Sequence, residues 1–171
     1  MKVFLTSAFC FFMLSASLFG QQNGVSFKLS LHQAEIGYKY IFKKVPLEGE
    51  FYLGAGNQDI DGRFNDFVSG IRIIKPVFRY KRNLISMMFN TGVYIPNNDY
   101  YNAVTPVFGL IAGYNRTFDK AGKHSLLINA GYFLGQRYYL QEYKDNFGSY
   151  ATRDIFKIVP VNIAIGYGLN F

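Results

Sequence analysis

The chain is 171 residues long, with 18 Lys and Arg against 11 Asp and Glu and a formal net charge of +7. These charges are scattered, with no basic helix and no recognition motif, which argues against a nucleic-acid partner. The single cysteine, Cys10, lies in an apolar leader, so the chain beyond it has no residue for a disulfide, a thiol nucleophile or a cysteine-ligated metal.

Residues 1–20 have the layout of a cleavable signal peptide. Lys2 is a minimal basic start, residues 3–19 are mostly apolar, and Gly20 is a small residue before Gln21 and Gln22. Thr6, Ser7, Ser15 and Ser17 weaken the rival reading as a spanning helix. Cys10 sits mid-run, away from the place a lipoprotein signal would need it. Residues 21–171 have the length of one domain, and no run in them reaches the roughly 20 apolar residues of a spanning helix. Their many Phe, Tyr and Gly suit strands and tight turns. With no Trp in the chain, Phe and Tyr are left to form any interfacial aromatic girdle.

In chain order, the pattern is alternating segments separated by turn residues, the signature of a transmembrane β-barrel. Residues 25–31 alternate Val25, Phe27, Leu29 and Leu31 with Ser26, Lys28 and Ser30, and are the candidate first strand. Residues 35–42 put Ile36, Tyr38, Tyr40 and Phe42 opposite Glu35, Gly37, Lys39 and Ile41. A turn containing Pro46 follows at 43–47. Residues 48–56 then set Phe51, Leu53 and Ala55 against Glu48, Glu50, Tyr52, Gly54 and Gly56.

After a polar loop at 57–66, parity slips within 67–80. Ile71 and Ile73 alternate with Arg72, whereas Ile74, Pro76, Phe78 and Tyr80 alternate with Lys75, Val77 and Arg79. One extra residue near Ile73 and Ile74 keeps all three charges on the inner face, which predicts a β-bulge there. The rival placement has Arg72 near a membrane rim, reaching to the headgroups.

A tight turn at 81–83 leads to residues 84–95, with Ile85, Met87, Phe89, Val93 and Ile95 outward and Ser86, Met88, Asn90, Gly92 and Tyr94 inward. A loop occupies 96–103. Residues 104–118 set Phe108, Leu110, Ala112 and Tyr114 against Thr105, Gly109, Gly113, Asn115 and Thr117. Beyond a turn at 119–123, residues 124–140 set Leu126, Ile128, Ala130, Tyr132 and Leu134 against Asn129, Gly131, Gly135 and Arg137. Residues 138–153 read as a hairpin extension turning near Asp145, Asn146, Phe147 and Gly148.

The final segment, 157–171, alternates most regularly. Val159, Val161, Ile163, Ile165, Tyr167, Leu169 and Phe171 form an apolar face, while Pro160, Asn162, Ala164, Gly166, Gly168 and Asn170 are small or polar. A tilted strand of about 9–11 residues crosses a bilayer, so this one is long enough. Its ending resembles the C-terminal signal of Gram-negative outer-membrane β-barrel proteins. Phe171, Leu169 and Gly166 match that pattern, Tyr167 adds an aromatic ring, and Ala164 departs from it where a polar residue is usual. The resemblance implies that Gly166, Tyr167, Leu169 and Phe171 are read by the barrel assembly machinery during insertion.

Connections alternate short, at 43–47, 81–83 and 119–123, with long, at 57–66, 96–103 and 141–153. Short turns are periplasmic and long loops external in such barrels, and strand numbers are even. Seven clear strands therefore require an eighth, residues 25–31. The expected fold is all-β, an eight-stranded antiparallel transmembrane β-barrel at 21–171 behind a signal peptide at 1–20. In scale it is similar to the membrane domain of outer membrane protein A.

The inward faces carry Glu35, Lys39, Glu48, Glu50, Lys75, Arg79 and Arg137, with Asn90, Asn115, Asn129 and Asn162. An eight-stranded barrel is filled by its own side chains, and buried charges must be paired. The expectation is a closed lumen packed by an ion-pair and amide network, not a conducting pore.

Catalysis needs a nucleophile, a base and an orienting group within reach. His124 adjoins Ser125, but adjacent strand residues point to opposite faces, and His32 near Ser30 lacks an identifiable third group. Asn57, Asp59, Asp61 and Gly62 open like a calcium loop, but Val68 stands where a glutamate is required. No enzyme, metal or cofactor is expected. The reading is a structural or loop-presenting envelope component, with outer-membrane lipid around it and any external partner meeting loops 57–66, 96–103 or 141–153. The rivals are an outer-membrane lipid-modifying enzyme, as lipid A deacylases of this size are, and a soluble lipocalin-like carrier with the greasy face turned inward.

Overall fold

The computed structural model describes residues 23–42, 45–56, 66–97, 103–145 and 148–171. The leader at 1–20 and the calcium-like motif at 57–62 lie outside them. Among the described residues nine strands form in chain order: β1 (Asn23–Ser30), β2 (Gln33–Ile41), β3 (Glu48–Gly56), β4 (Asp66–Tyr80), β5 (Asn83–Ile95), β6 (Thr105–Thr117), β7 (His124–Asp145), β8 (Gly148–Lys157) and β9 (Val161–Asn170). Neighbours pair antiparallel from β1 to β7, and β9 pairs with both β7 and β1.

Eight staves close the barrel, because β8 and β9 are two parts of one. The lower part of β7 pairs with β9, from His124↔Leu169 to Tyr132↔Val161. The upper part pairs with β8, from Gln136↔Lys157 to Asp145↔Gly148. Between them Pro160, which has no N–H to give a ladder, accepts from the Phe133 N–H at 2.6 Å, and Ile158 donates to the Gly135 carbonyl at 3.2 Å. Pairing of β6 with β7 ends at Val107↔Gly135, so the β7–β8 hairpin rises past β6, as the extension predicted at 138–153 requires. The predicted first strand is present as β1, paired with β9 from Gly24↔Asn170 to Ser30↔Ala164. The seam is finished by Asn23 and Phe171, whose N–H and C=O groups bond reciprocally at 3.0 and 2.9 Å.

The tight turns explain how so few residues reverse the chain. Lys81 takes φ 53°, the left-handed conformation a two-residue hairpin turn demands. Between β6 and β7, Gly122 supplies φ 76°, and the Asp119 carboxylate accepts the Lys123 and His124 N–H groups at 3.1 and 2.9 Å. The Asp119 carboxyl is held below its usual range, chiefly by that His124 N–H.

One expectation is corrected. The bulge in β4 lies at Val77, where Pro76↔Ser86 is followed by Phe78↔Ile85, not near Ile73 and Ile74. Period-2 alternation therefore continues unbroken through Ile74, which is buried inside, and Lys75 falls on the outer face opposite Met87. Pro76 supplies the physical reason: it cannot donate to a ladder, and the extra residue sits beside it.

The outer face is apolar around the whole circumference. Ile71, Ile73, Met87, Phe89, Phe108, Leu110, Tyr132, Leu134, Ile163 and Ile165 are all exposed there, Ile163 at 64%.

Candidate functional site

The polar faces of β1 to β5 converge on four charges inside the barrel. Lys28 on β1 donates from Nζ to Glu50 Oε1 and Oε2 on β3 at 2.5 and 2.6 Å, and lies 3.3 Å from Glu35 Oε1 on β2. Arg72 on β4 grips Glu35 with two prongs, Nη1 to Oε1 and Nη2 to Oε2, the latter at 2.6 Å. Its Nη1 also reaches Glu50 Oε2 at 3.0 Å. Two cations thus meet two carboxylates, all four at most 6% exposed. Charges so far from water persist only when paired and hydrogen-bonded.

Neutral polar groups around the four charges complete the bonding. Ser26 Oγ donates to Glu50 at 2.6 Å, Gln33 Nε2 donates to Glu35, and Tyr94 donates its hydroxyl to Gln33 Oε1 at 2.7 Å. Arg72 Nε donates to Asn90 Oδ1 at 3.1 Å, while the Arg72 guanidinium carbon lies 3.9 Å from the Tyr52 ring centroid. Gly37 makes the room: a Cβ there would stand 2.6 Å from Glu50 Oε1 and 2.7 Å from Ser26 Oγ.

Apolar side chains share the lumen with this cluster. Tyr52, Val68, Tyr94, Val107 and Ile158 form one layer, Ile74, Met88 and Ile111 another, and Phe133 packs on both. The interior is therefore part ionic and part apolar: besides the inward Tyr52, Met88 and Tyr94 read from the sequence, it holds Val68, Ile74, Val107, Ile111 and Ile158. Two voids flank the charges, of about 40 Å³ towards the short turns and about 20 Å³ on the other side. Each has space for a few waters at most.

Six of the seven charged residues predicted inside fall into three groups. Glu35 and Glu50 are in the cluster. Arg137 lies further up, buried against Asp66 with Nη1 to Oδ2 at 2.7 Å. Lys39 and Glu48 approach to 3.5 Å near the short-turn end, where Arg79 also lines the cavity. Lys75 is outside, for the reason given above. Lys28 and Asp66 are missing from the predicted interior set, and Arg72, which the predicted bulge placed on the inner face, was not named in the predicted network. Lys28 and Arg72 had a legible inward parity. Asp66 was assigned to a polar loop and instead begins β4.

Among the described residues, neither histidine ring is hydrogen-bonded to a serine hydroxyl. His124 is exposed with Nδ1 against the Tyr167 hydroxyl, while Ser125 is buried and donates to the Gly168 carbonyl at 3.3 Å. The Ser30 hydroxyl donates to the Gln33 carbonyl at 3.1 Å and accepts the His32 N–H at 3.2 Å. Among the described residues no group of His, Cys, Asp and Glu is placed to hold a metal ion. Of the C-terminal residues, Tyr167, Leu169 and Phe171 face outward, and Gly166 faces β1, where a Cβ would lie 2.4 Å from the Phe27 carbonyl oxygen.

No family model matches the chain, and no curated protein matches it. Among solved structures, a major outer membrane protein from Thermus thermophilus aligns with a TM-score of 0.46 and 10% identity, over 89% of this chain and 100% of that one.

Proposed function

We propose that the chain is a small outer-membrane β-barrel, a non-enzymatic component of a Gram-negative envelope with a closed interior. The observation that carries this reading is the inversion of faces. Exposed Ile, Leu, Phe and Tyr ring the outside, while Lys28, Glu35, Glu50 and Arg72 are buried within. A soluble carrier needs the opposite arrangement. A closed barrel leaves no unpaired edge, which is what permits strands in a bilayer.

The short turns then face the periplasm and the longer connections face outward, with loops 57–66 and 96–103 and the 141–153 hairpin available to a partner. The role is structural or loop-presenting, without a cofactor. The exposed terminal Phe171, with Leu169, Tyr167 and Gly166, is the segment offered to the assembly machinery.

Fractionation of the native host tests the proposal. The protein should co-sediment with outer membranes, need detergent for extraction, and migrate differently on gels with and without boiling. Recovery as a water-soluble protein without heat-modifiable migration would reject it.

A further inference from the structure

Among the described residues, charges inside the barrel balance except at the short-turn end. Lys28 and Arg72 meet Glu35 and Glu50, and Arg137 meets Asp66. The cavity that opens between the short turns, about 330 Å³, is lined by Lys39, Arg79, Lys81, Arg82 and Lys123. Glu48 is the one acidic side chain among its described lining residues, and it approaches Lys39 at 3.5 Å. Arg82 donates from Nη1 to the Phe118 carbonyl at 3.0 Å, and the Lys81 ammonium lies 5.2 Å from the Tyr80 ring centroid. Among the described residues, no carboxylate is within ion-pair distance of Arg79, Lys81, Arg82 or Lys123.

The walls that hold these cations are fixed by backbone bonds. Asn170 donates from its backbone N–H to the Lys123 carbonyl and from its side chain to the Gly122 carbonyl, both at 2.8 Å. Thr117 N–H donates to the Arg82 carbonyl at 2.9 Å. Asn83 accepts the Tyr114 hydroxyl at Oδ1, 2.8 Å, which leaves its NH₂ as a donor beside the cavity. Like charges held together around a concave mouth repel one another and focus a positive potential. A multiply charged anion with several acceptor oxygens relieves that repulsion through charge-assisted hydrogen bonds, and guanidinium groups suit phosphate in particular.

We propose that the mouth at the short-turn end binds phosphate-bearing anions, held by Lys39 and Arg79 from the barrel wall and by Lys81, Arg82 and Lys123 from the short turns. The phosphate can come from a soluble compound or from the headgroup of an anionic lipid in the adjoining leaflet. The cavity is lined by the inward-facing Lys39 and Arg79, which favours the soluble source.

The test uses full-length barrel refolded in zwitterionic micelles and titrated calorimetrically with inorganic pyrophosphate. Saturable binding at one site is expected, weakening as salt rises. In Arg79→Gln/Lys123→Gln the affinity should fall about tenfold or more, the loss expected for charge-assisted contacts. Heat-modifiable migration of that variant shows that the barrel still forms, and Lys75→Gln, which removes an outer-face cation, should bind as the parent does. A lipid source would show instead as anionic phospholipid retained in native mass spectra and lost in the same double variant. Two results overturn the proposal: pyrophosphate bound no better than chloride at equal ionic strength with no variant-sensitive lipid, or affinity unchanged in the double variant. Binding in micelles does not depend on membrane sidedness, so its failure leaves the outer-membrane reading standing.

Discussion

Arg72 and Glu35, 37 residues apart in sequence, meet inside the barrel through two parallel hydrogen bonds. The curvature of the barrel wall brings them together, since β2 and β4 are separated by β3, which itself contributes Glu50 to the same guanidinium. The pair thus ties three consecutive strands across the lumen, and Lys28 adds a fourth.

Removing Arg72 leaves two buried carboxylates with one cation. Arg72→Met should lower unfolding free energy in lipid vesicles by about 3–5 kcal/mol, the cost of breaking a buried pair. Lys75→Met, three residues on but on the outer face, should change it by no more than about 1 kcal/mol, as for a charge near a membrane interface. Denaturant titration of both variants measures the contrast, and equal losses would count against the placement of the bulge at Val77.

Gly37 and Gly49 offer a second contrast. A Cβ at Gly37 collides with Glu50 and Ser26, whereas one at Gly49 meets Phe42 ring carbons at an ordinary 3.4 Å. Gly37→Ala should destabilise by about 1–3 kcal/mol through overpacking, and Gly49→Ala should be close to neutral. The same denaturant titration checks both, and a neutral Gly37→Ala would show that Glu50 does not need that space.

Much of this architecture was legible because side-chain period is 2 in every strand. β3 was delimited to the residue by Glu48 and Gly56, and the turn between β7 and β8 by its Asp, Asn and Gly. The interior was less legible. Parity says which residues face inward, but partners such as Arg72 and Glu35 depend on registers between strands that no single segment encodes. Lys75 was misplaced because Ile74 and Pro76 suit the outer face as well as Ile73 does, so alternation alone did not locate the extra residue. Val107 and Ile111 went unnoticed because a lumen wall accepts apolar residues alongside charges.

Occlusion of the lumen predicts electrical silence. Purified protein in planar bilayers should show no sustained conductance, because the ion cluster and the apolar layers leave only small voids between them. Reproducible large channel steps would show that the interior is open.

Phe171 joins two roles that can be separated. Its deletion should lower outer-membrane levels in cells and leave protease-sensitive protein in the periplasm. The purified deletion variant, lacking the paired bonds to Asn23 but keeping the Gly24↔Asn170 seam, should still fold in lipid vesicles. Normal assembly in cells of both this deletion and Phe171→Ser would remove the proposed reading of the terminus by the assembly machinery.

The assignment of faces supports the whole account, and Ile163 and Asn162 test it side by side. Ile163 is on the exposed outer face of β9 and Asn162 on the lumen side, at neighbouring positions of one strand. A basic residue facing lipid at mid-bilayer costs about 2–4 kcal/mol, so Ile163→Arg should destabilise well beyond Asn162→Arg. The more direct measurement is oxygen accessibility of a spin label placed at each position in the vesicle-embedded barrel. Strong relaxation by bilayer oxygen at 163 and weak relaxation at 162 is the predicted result. Equal accessibility, or the reverse order, would contradict a barrel with its greasy face in lipid.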